Sequence, residues 1–210
     1  MMRLPVRLSR DCGALPRWRQ RGALAVETAL VLPVLVAMGL IGADMQRIHL
    51  ERIRLESTTG VLAVNLVAQP KLTAEGLDEL VETAMQNHAS DQQLYILTVK
   101  RSGKVTWALQ RGGATSLCEA PSAGGLYTGT LPEDTVEDED DTNTIAGAVS
   151  MLVVRACRKT SDITLFSKLT IPDLLETDTV FPATHNTITL DSTLQTESDA
   201  SGMAYSDSDS

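Results

Sequence analysis

Glu27 is the residue whose type and position most need a chemical reason. It lies in a run of 21 residues, Ala23 to Ala43, in which Glu27, Thr28 and Pro33 are the only side chains that are neither apolar nor glycine. An ionised carboxylate at the centre of a bilayer costs on the order of 2.5–3.5 kcal/mol on insertion scales, and less one turn in from the end. Two uses would justify it. The acid could reach back to the interface and favour the positive end of the helix dipole. Alternatively, it could receive a charge made by processing. If the chain were cut between Gly22 and Ala23, Glu27 would become the fifth residue of the mature protein. The new α-amino group of Ala23 would then lie one helical turn away, or would meet the Glu27 of a neighbouring subunit in a packed filament.

Other candidate chemistry is thinner. Carboxylates cluster at Glu133-Asp134 and at Glu137-Asp138-Glu139-Asp140-Asp141, with Asn143 beyond. Oxygen ligands of this kind can hold Ca²⁺, which makes Asp138, Asp140 and Asp141 a weak candidate set. Their spacing is not that of a helix-loop-helix calcium loop, and such runs are more often simply solvated. His49, His88 and His185 are scattered, and each reads as a solvent-facing or packing residue. The chain has no Gly-x-Ser-x-Gly, phosphate loop or His-Glu-x-x-His. The expectation is a protein that is not an enzyme and carries no cofactor.

The elements that must position Glu27 begin with the apolar run itself. As a helix it is about 30 Å long, the thickness of a bilayer's hydrocarbon core. It carries no polar stripe, so it reads as a membrane span. Six arginines (Arg3, Arg7, Arg10, Arg17, Arg19, Arg21) and one acid, Asp11, precede it. Positive charge ahead of a span keeps that end in the cytoplasm, so the rest of the chain is expected to be exported. A secretory signal would have a shorter apolar core and a small-x-small cleavage site. Here the best candidate, Ile41-Gly42-Ala43, begins with a bulky residue. Without residues 1–22 the formal charge of −9 becomes −14, from 12 basic and 26 acidic side chains. That balance argues against nucleic acid as a partner.

Arg21-Gly22 followed by Ala-Leu-Ala-Val-Glu-Thr-Ala-Leu-Val-Leu-Pro-Val-Leu-Val resembles the N-terminal signature of the TadE/TadF-like minor pseudopilins. These belong to the tight adherence (Tad, Flp, type IVc) pilus system. The resemblance covers roughly residues 20–50. It implies a leader ending at Gly22, cleavage before Ala23 by a prepilin peptidase, an assembly or processing role for Glu27, and a Val31-Leu32-Pro33 step in the span. Thr28 departs from the pattern, since an aromatic residue often follows the glutamate. The implied function is support of pilus biogenesis, adherence and biofilm formation. The implied partners are the prepilin peptidase, other pilins and pseudopilins, and the bacterial inner membrane.

Of three cysteines, Cys12 lies in the leader. Its removal would leave Cys118 and Cys157 on the oxidising side of the membrane. The expected pairing is a disulfide closing the acidic loop, which pilin-like heads, often bridged near the C-terminus, make more plausible. The helix should continue past Ala43 to about Ala68, softly broken at Pro33 and Gly60, with an apolar stripe along positions 41, 45, 48, 52, 55, 59, 62 and 66. Pro70 ends it. Thr73 should cap a second helix with Leu77, Leu80, Val81, Ala84 and Met85 on one face. Residues 94–100 and 105–110 read as a hairpin, and residues 112–143 as a long loop. Residues 148–157 read as a central strand, with residues 161–183 ambiguous between a short strand and an irregular excursion. Residues 187–194 read as an edge strand.

The expected fold class is α+β and pilin-like: a long membrane-spanning helix running into a periplasmic head with a small antiparallel sheet. The expected divisions are a leader at 1–22, the span at 23–43, its periplasmic continuation at 44–68, the head at 69–197 and a disordered tail at 198–210. A rival reading is an uncleaved, single-span receptor or binding domain in the periplasm.

Overall fold

The computed structural model describes residues 18–132, 150–160, 163, 165–166, 173–184 and 187–206. Its longest element is α1 (Trp18–Val67), a single helix of 50 residues with Pro33 inside it. Proline removes one backbone donor from the ladder, yet neither Pro33 nor Gly60 interrupts the helix, which runs on through both. Thr28 disposes of its hydroxyl locally by donating to the Ala25 carbonyl at 3.1 Å.

After α1, a two-residue strand β1 (Lys71–Leu72) leads to α2 (Ala74–Met85). The Thr73 side chain accepts from the Gly76 amide and caps α2. Leu77, Val81 and Met85 are buried along one face, as the sequence pattern requires. A short 3-10 turn, Gln86–His88, follows. Then come β2 (Gln92–Lys100) and β3 (Val105–Arg111), joined by the tight turn at Arg101–Lys104. Strand β6 (Ser150–Lys159) pairs with the other side of β2, and β7 (Leu174–Pro182) pairs with β6. The sheet order is β3-β2-β6-β7, antiparallel throughout. The fold is thus mixed α+β, with a small antiparallel sheet behind a long apolar helix.

Both faces of this sheet are covered, and for that reason β2 and β6 are nearly all buried. On one face Leu55, Leu62, Ala63 and Leu66 of α1 meet Leu94, Ile96, Leu152, Val154 and Ala156, joined by the apolar side of α2. On the other, Tyr95, Leu97, Val99, Val105, Ala108 and Val153 are covered by Cys118, Ala120, Tyr127, Leu131 and Met203.

Four expectations change. The loop after β3 contains a miniature hairpin, β4 (Ser122–Ala123) and β5 (Leu126–Tyr127), turned by Gly124 and Gly125 at φ +58° and +74°. A side chain at Gly125 would also strike Tyr205, whose Cα lies 2.4 Å from the position of a Cβ. The edge strand falls at 174–182, inside the ambiguous stretch. Residues 187–194 keep only β8 (Thr189–Leu190), parallel to β1. Asp191 ends that strand by capping α3 (Ser192–Ser201): its carboxylate accepts from Leu194 N and Ala74 N, each at 2.8 Å. Finally, the expected disordered tail is ordered as far as Tyr205. Ser198 is fully buried and accepts from the Ala108 amide at 3.0 Å, and the Tyr205 amide donates to the Val105 carbonyl at 2.9 Å.

Candidate functional site

The Gly22–Ala23 bond lies within the first turns of α1, since the helix already begins at Trp18. A Cβ at Gly22 would meet nothing within 4 Å, and the backbone there is not left-handed. Glycine costs a helix about 1 kcal/mol relative to alanine. Neither packing nor conformation among the described residues asks for it. Glu27 is exposed, and no hydrogen bond or ion pair joins it to the described residues. Around it, Val26, Leu30, Val31, Leu32, Val34 and Leu35 are all more than half exposed.

This first part of α1 is long and apolar enough to cross a membrane. Its most apolar window has a mean hydropathy of 2.1, and none of that window is buried. Contact with the head begins abruptly at Asp44. That side chain is fully buried and accepts from the Phe166 amide at 2.8 Å. Above it, Arg47 lies 4.2 Å over the Phe166 ring. Glu51 bonds Arg158 of β6, and the Thr59 and Thr179 hydroxyls bond each other at 2.8 Å.

These partners correct the expected stripe. Ile41, Met45 and Arg52 are exposed and Ile48 is half-buried. The docked face runs instead through Asp44, Ile48, Glu51, Leu55, Thr59, Leu62 and Leu66. The apolar pattern was one position off in its lower half, because there the helix is held by polar groups. Asp44 and Glu51 carried no sequence signal for this role, since their partners lie more than a hundred residues away.

Cys118 and Cys157 form a disulfide, with Cα atoms 6.1 Å apart. Beside it, Gln93 stands opposite Cys157 in the sheet. Its side-chain oxygen accepts from the Leu117 and Cys118 amides at 2.7 and 3.3 Å, and its amide donates to the Tyr95 hydroxyl at 2.7 Å. Burial pushes that hydroxyl above the ordinary tyrosine value, against the pull of Arg155 and Gln93. The covalent and polar ties together hold the loop after β3 on the sheet. Gln93 was not legible in the sequence.

Arg111 joins three elements, bonding Asp78 of α2 at 2.7 Å and Glu197 of α3. Burial alone would lower its proton affinity. The bonds to Glu197 and Asp78 outweigh that and hold it above the ordinary value.

Of the histidines and acids singled out in the sequence as possible bases or metal ligands, only two histidines fall among the described residues, on separate elements. His49 is exposed on α1 and His88 is half-buried after α2. His185 and the carboxylates Asp138, Asp140 and Asp141 lie outside the described residues, as do the residues before Trp18. Among the described residues no group of three or more histidines, cysteines or acids could hold a metal ion. A half-open groove of about 530 Å³ does lie between α1 and α2, bordered by Arg54, Thr58, Val61, Asn65, Leu80 and His88. Gln92 closes one end. Its side-chain oxygen is buried without a partner, as is Nε of Arg158, its neighbour across the strand pair.

Comparison with known proteins yields no relative: no protein family, no curated protein and no solved structure matches this chain.

Proposed function

We propose that this chain is a minor pseudopilin of the TadE/TadF type, an inner-membrane prepilin cleaved after Gly22 whose head works in the periplasm during assembly of an adhesive pilus. The reading rests on one observation. Five residues before Glu27, which is exposed and joined by no hydrogen bond or ion pair to the described residues, stands a glycine that neither packing nor conformation among them requires, in a segment whose large apolar side chains stay exposed as far as Ile41. An acid so placed has no task within the described chain. A new amino terminus at Ala23, on the same or a neighbouring subunit, would supply its counter-charge. The arginines ahead of the apolar run supply the orientation, with the N-terminus in the cytoplasm. Once the leader is gone, the strongly acidic mature chain faces outward.

The test is N-terminal sequencing and intact mass of the membrane-extracted protein, from cells with and without a prepilin peptidase. The expected result is a chain starting at Ala23 in the first and a retained leader in the second; equal masses would refute the reading. Glu27→Ala should leave cleavage largely intact and impair piliation. Normal piliation in that variant would count against the role of Glu27.

A second reading is an uncleaved, membrane-anchored binding domain. The groove between α1 and α2 favours it, because its volume falls in the range of small-molecule sites and it mixes apolar walls with Arg54 and Asn65. The same sequencing experiment separates the two.

A further inference from the structure

We propose that Phe166 is a lipid-facing anchor that seats the head directly on the bilayer crossed by α1. The proposal rests on reading the first part of α1 as a membrane span. Asp44 is the first residue after the apolar run, so it marks the level where the helix leaves hydrocarbon. The Phe166 amide is held 2.8 Å from the Asp44 carboxylate, and the Asp44 side chain is fully buried. Phe166 is therefore pinned at the level where the helix would leave the membrane. Arg47, one turn farther along the helix, covers the ring at 4.2 Å. Phe166 as a whole residue stays 56% exposed.

Pinning a loop to a helix accounts for the buried carboxylate and the backbone bond. It does not account for a large aromatic left open to the surroundings. At the boundary between hydrocarbon and headgroups an apolar ring can bury itself among acyl chains, as phenylalanine does on the apolar face of interfacial helices, and an arginine stem beside it can lie in the same boundary layer. The occupant is read as lipid rather than protein because Phe166 is tied to Asp44, three residues along the helix from the exposed Ile41, where the run of exposed apolar side chains that the same bilayer would cover comes to an end. Phe166 and Arg47 thus form a collar at the base of the head. They limit the head's freedom to tilt about the helix.

The experiment uses full-length protein in phospholipid vesicles, in a Trp18→Phe background that leaves Trp107, buried in the head core, as a constant signal. Phe166→Trp, Val36→Trp and Val64→Trp are made singly. Each is exposed to lipids brominated on the upper part of their acyl chains, and separately to aqueous iodide. Tryptophan at position 36 should be quenched by the lipid and at position 64 by iodide. At position 166 it should be shielded from iodide, emit to the blue of position 64, and lose roughly half as much emission to the lipid as position 36 does. Lipid quenching at 36 with iodide quenching at 166 would overturn the anchor and leave the span standing. Protection of position 166 from both quenchers would overturn it in favour of a protein partner. Absence of lipid quenching at 36 would remove the span, and the anchor with it.

Discussion

Arg158 reaches from β6 to Glu51 on α1, and their side chains are 8% and 16% exposed. Removing one member of such a pair strands the other in a poorly solvated place. Replacing both with apolar groups removes the desolvation cost together with the attraction. Glu51→Leu should therefore destabilise the head by about 2–4 kcal/mol, Arg158→Met by less because Glu51 keeps Arg54 at 2.8 Å, and the double variant by much less than Glu51→Leu. Denaturant unfolding of the four proteins in detergent measures this. Equal losses in single and double variants would show that packing at the seam, not charge, matters there. Asp191 gives a pH effect. Amide donation from Leu194, then from Ala74, holds its carboxyl below the ordinary value of 3.8. The ionised form is favoured in the folded chain. Its contribution is thus fully present above the ordinary value and is lost as pH falls through the lowered one. Asp191→Asn, which can still cap α3 but carries no charge, should lower the midpoint at neutral pH and flatten the acid side of the stability curve. Thermal melts across the carboxylate range would show it. Thr73 was readable as a cap because its amide partner is three residues on. Half of what Asp191 does was not, because Ala74 lies 117 residues before it.

Among the elements, the loop after β3 depends on its disulfide. The bridge spans a sequence separation of 39 residues. On the chain-entropy account such a closure is worth about 3–5 kcal/mol. Cys118→Ser with Cys157→Ser should lower stability by about that amount, and should increase proteolysis of the β4–β5 hairpin before that of β2 or β6. The two-sided burial of β6 and the paired β2–β3 hairpin were plain in the sequence, because continuous or alternating apolar residues mark them directly. Strand β7 was hidden by Glu176 and Asp178. These look like loop residues until the sheet sets them beside Arg155, which bonds Asp178 at 2.6 Å and Glu176 at 3.1 Å. Helix α3 misled for the opposite reason. The alternation from Thr187 to Leu194 satisfies a strand pattern, but the Asp191 cap turns the chain after two paired residues. Its polar composition also suggested disorder. The buried Leu194 and Ser198 hold it on β3 regardless.

At the scale of the molecule, α1 changes function at Asp44 without a break. Before that residue its large apolar side chains stand open; from Leu55 to Leu66 its inner side chains form one wall of the head's core. The sequence disclosed the length of this helix and its apolar first half. The docking face was less legible, because the hydrophobic pattern could not anticipate a seam begun by polar groups. The consequence is mechanical. Between Asp44 and Leu66 the rod lies along the sheet for about six turns. A pull on its apolar end would load the Asp44 bond, the Glu51–Arg158 pair, the Thr59–Thr179 contact and the apolar wall together, in shear. Severing the rod anywhere in that stretch would not release an intact head; it would strip the core open.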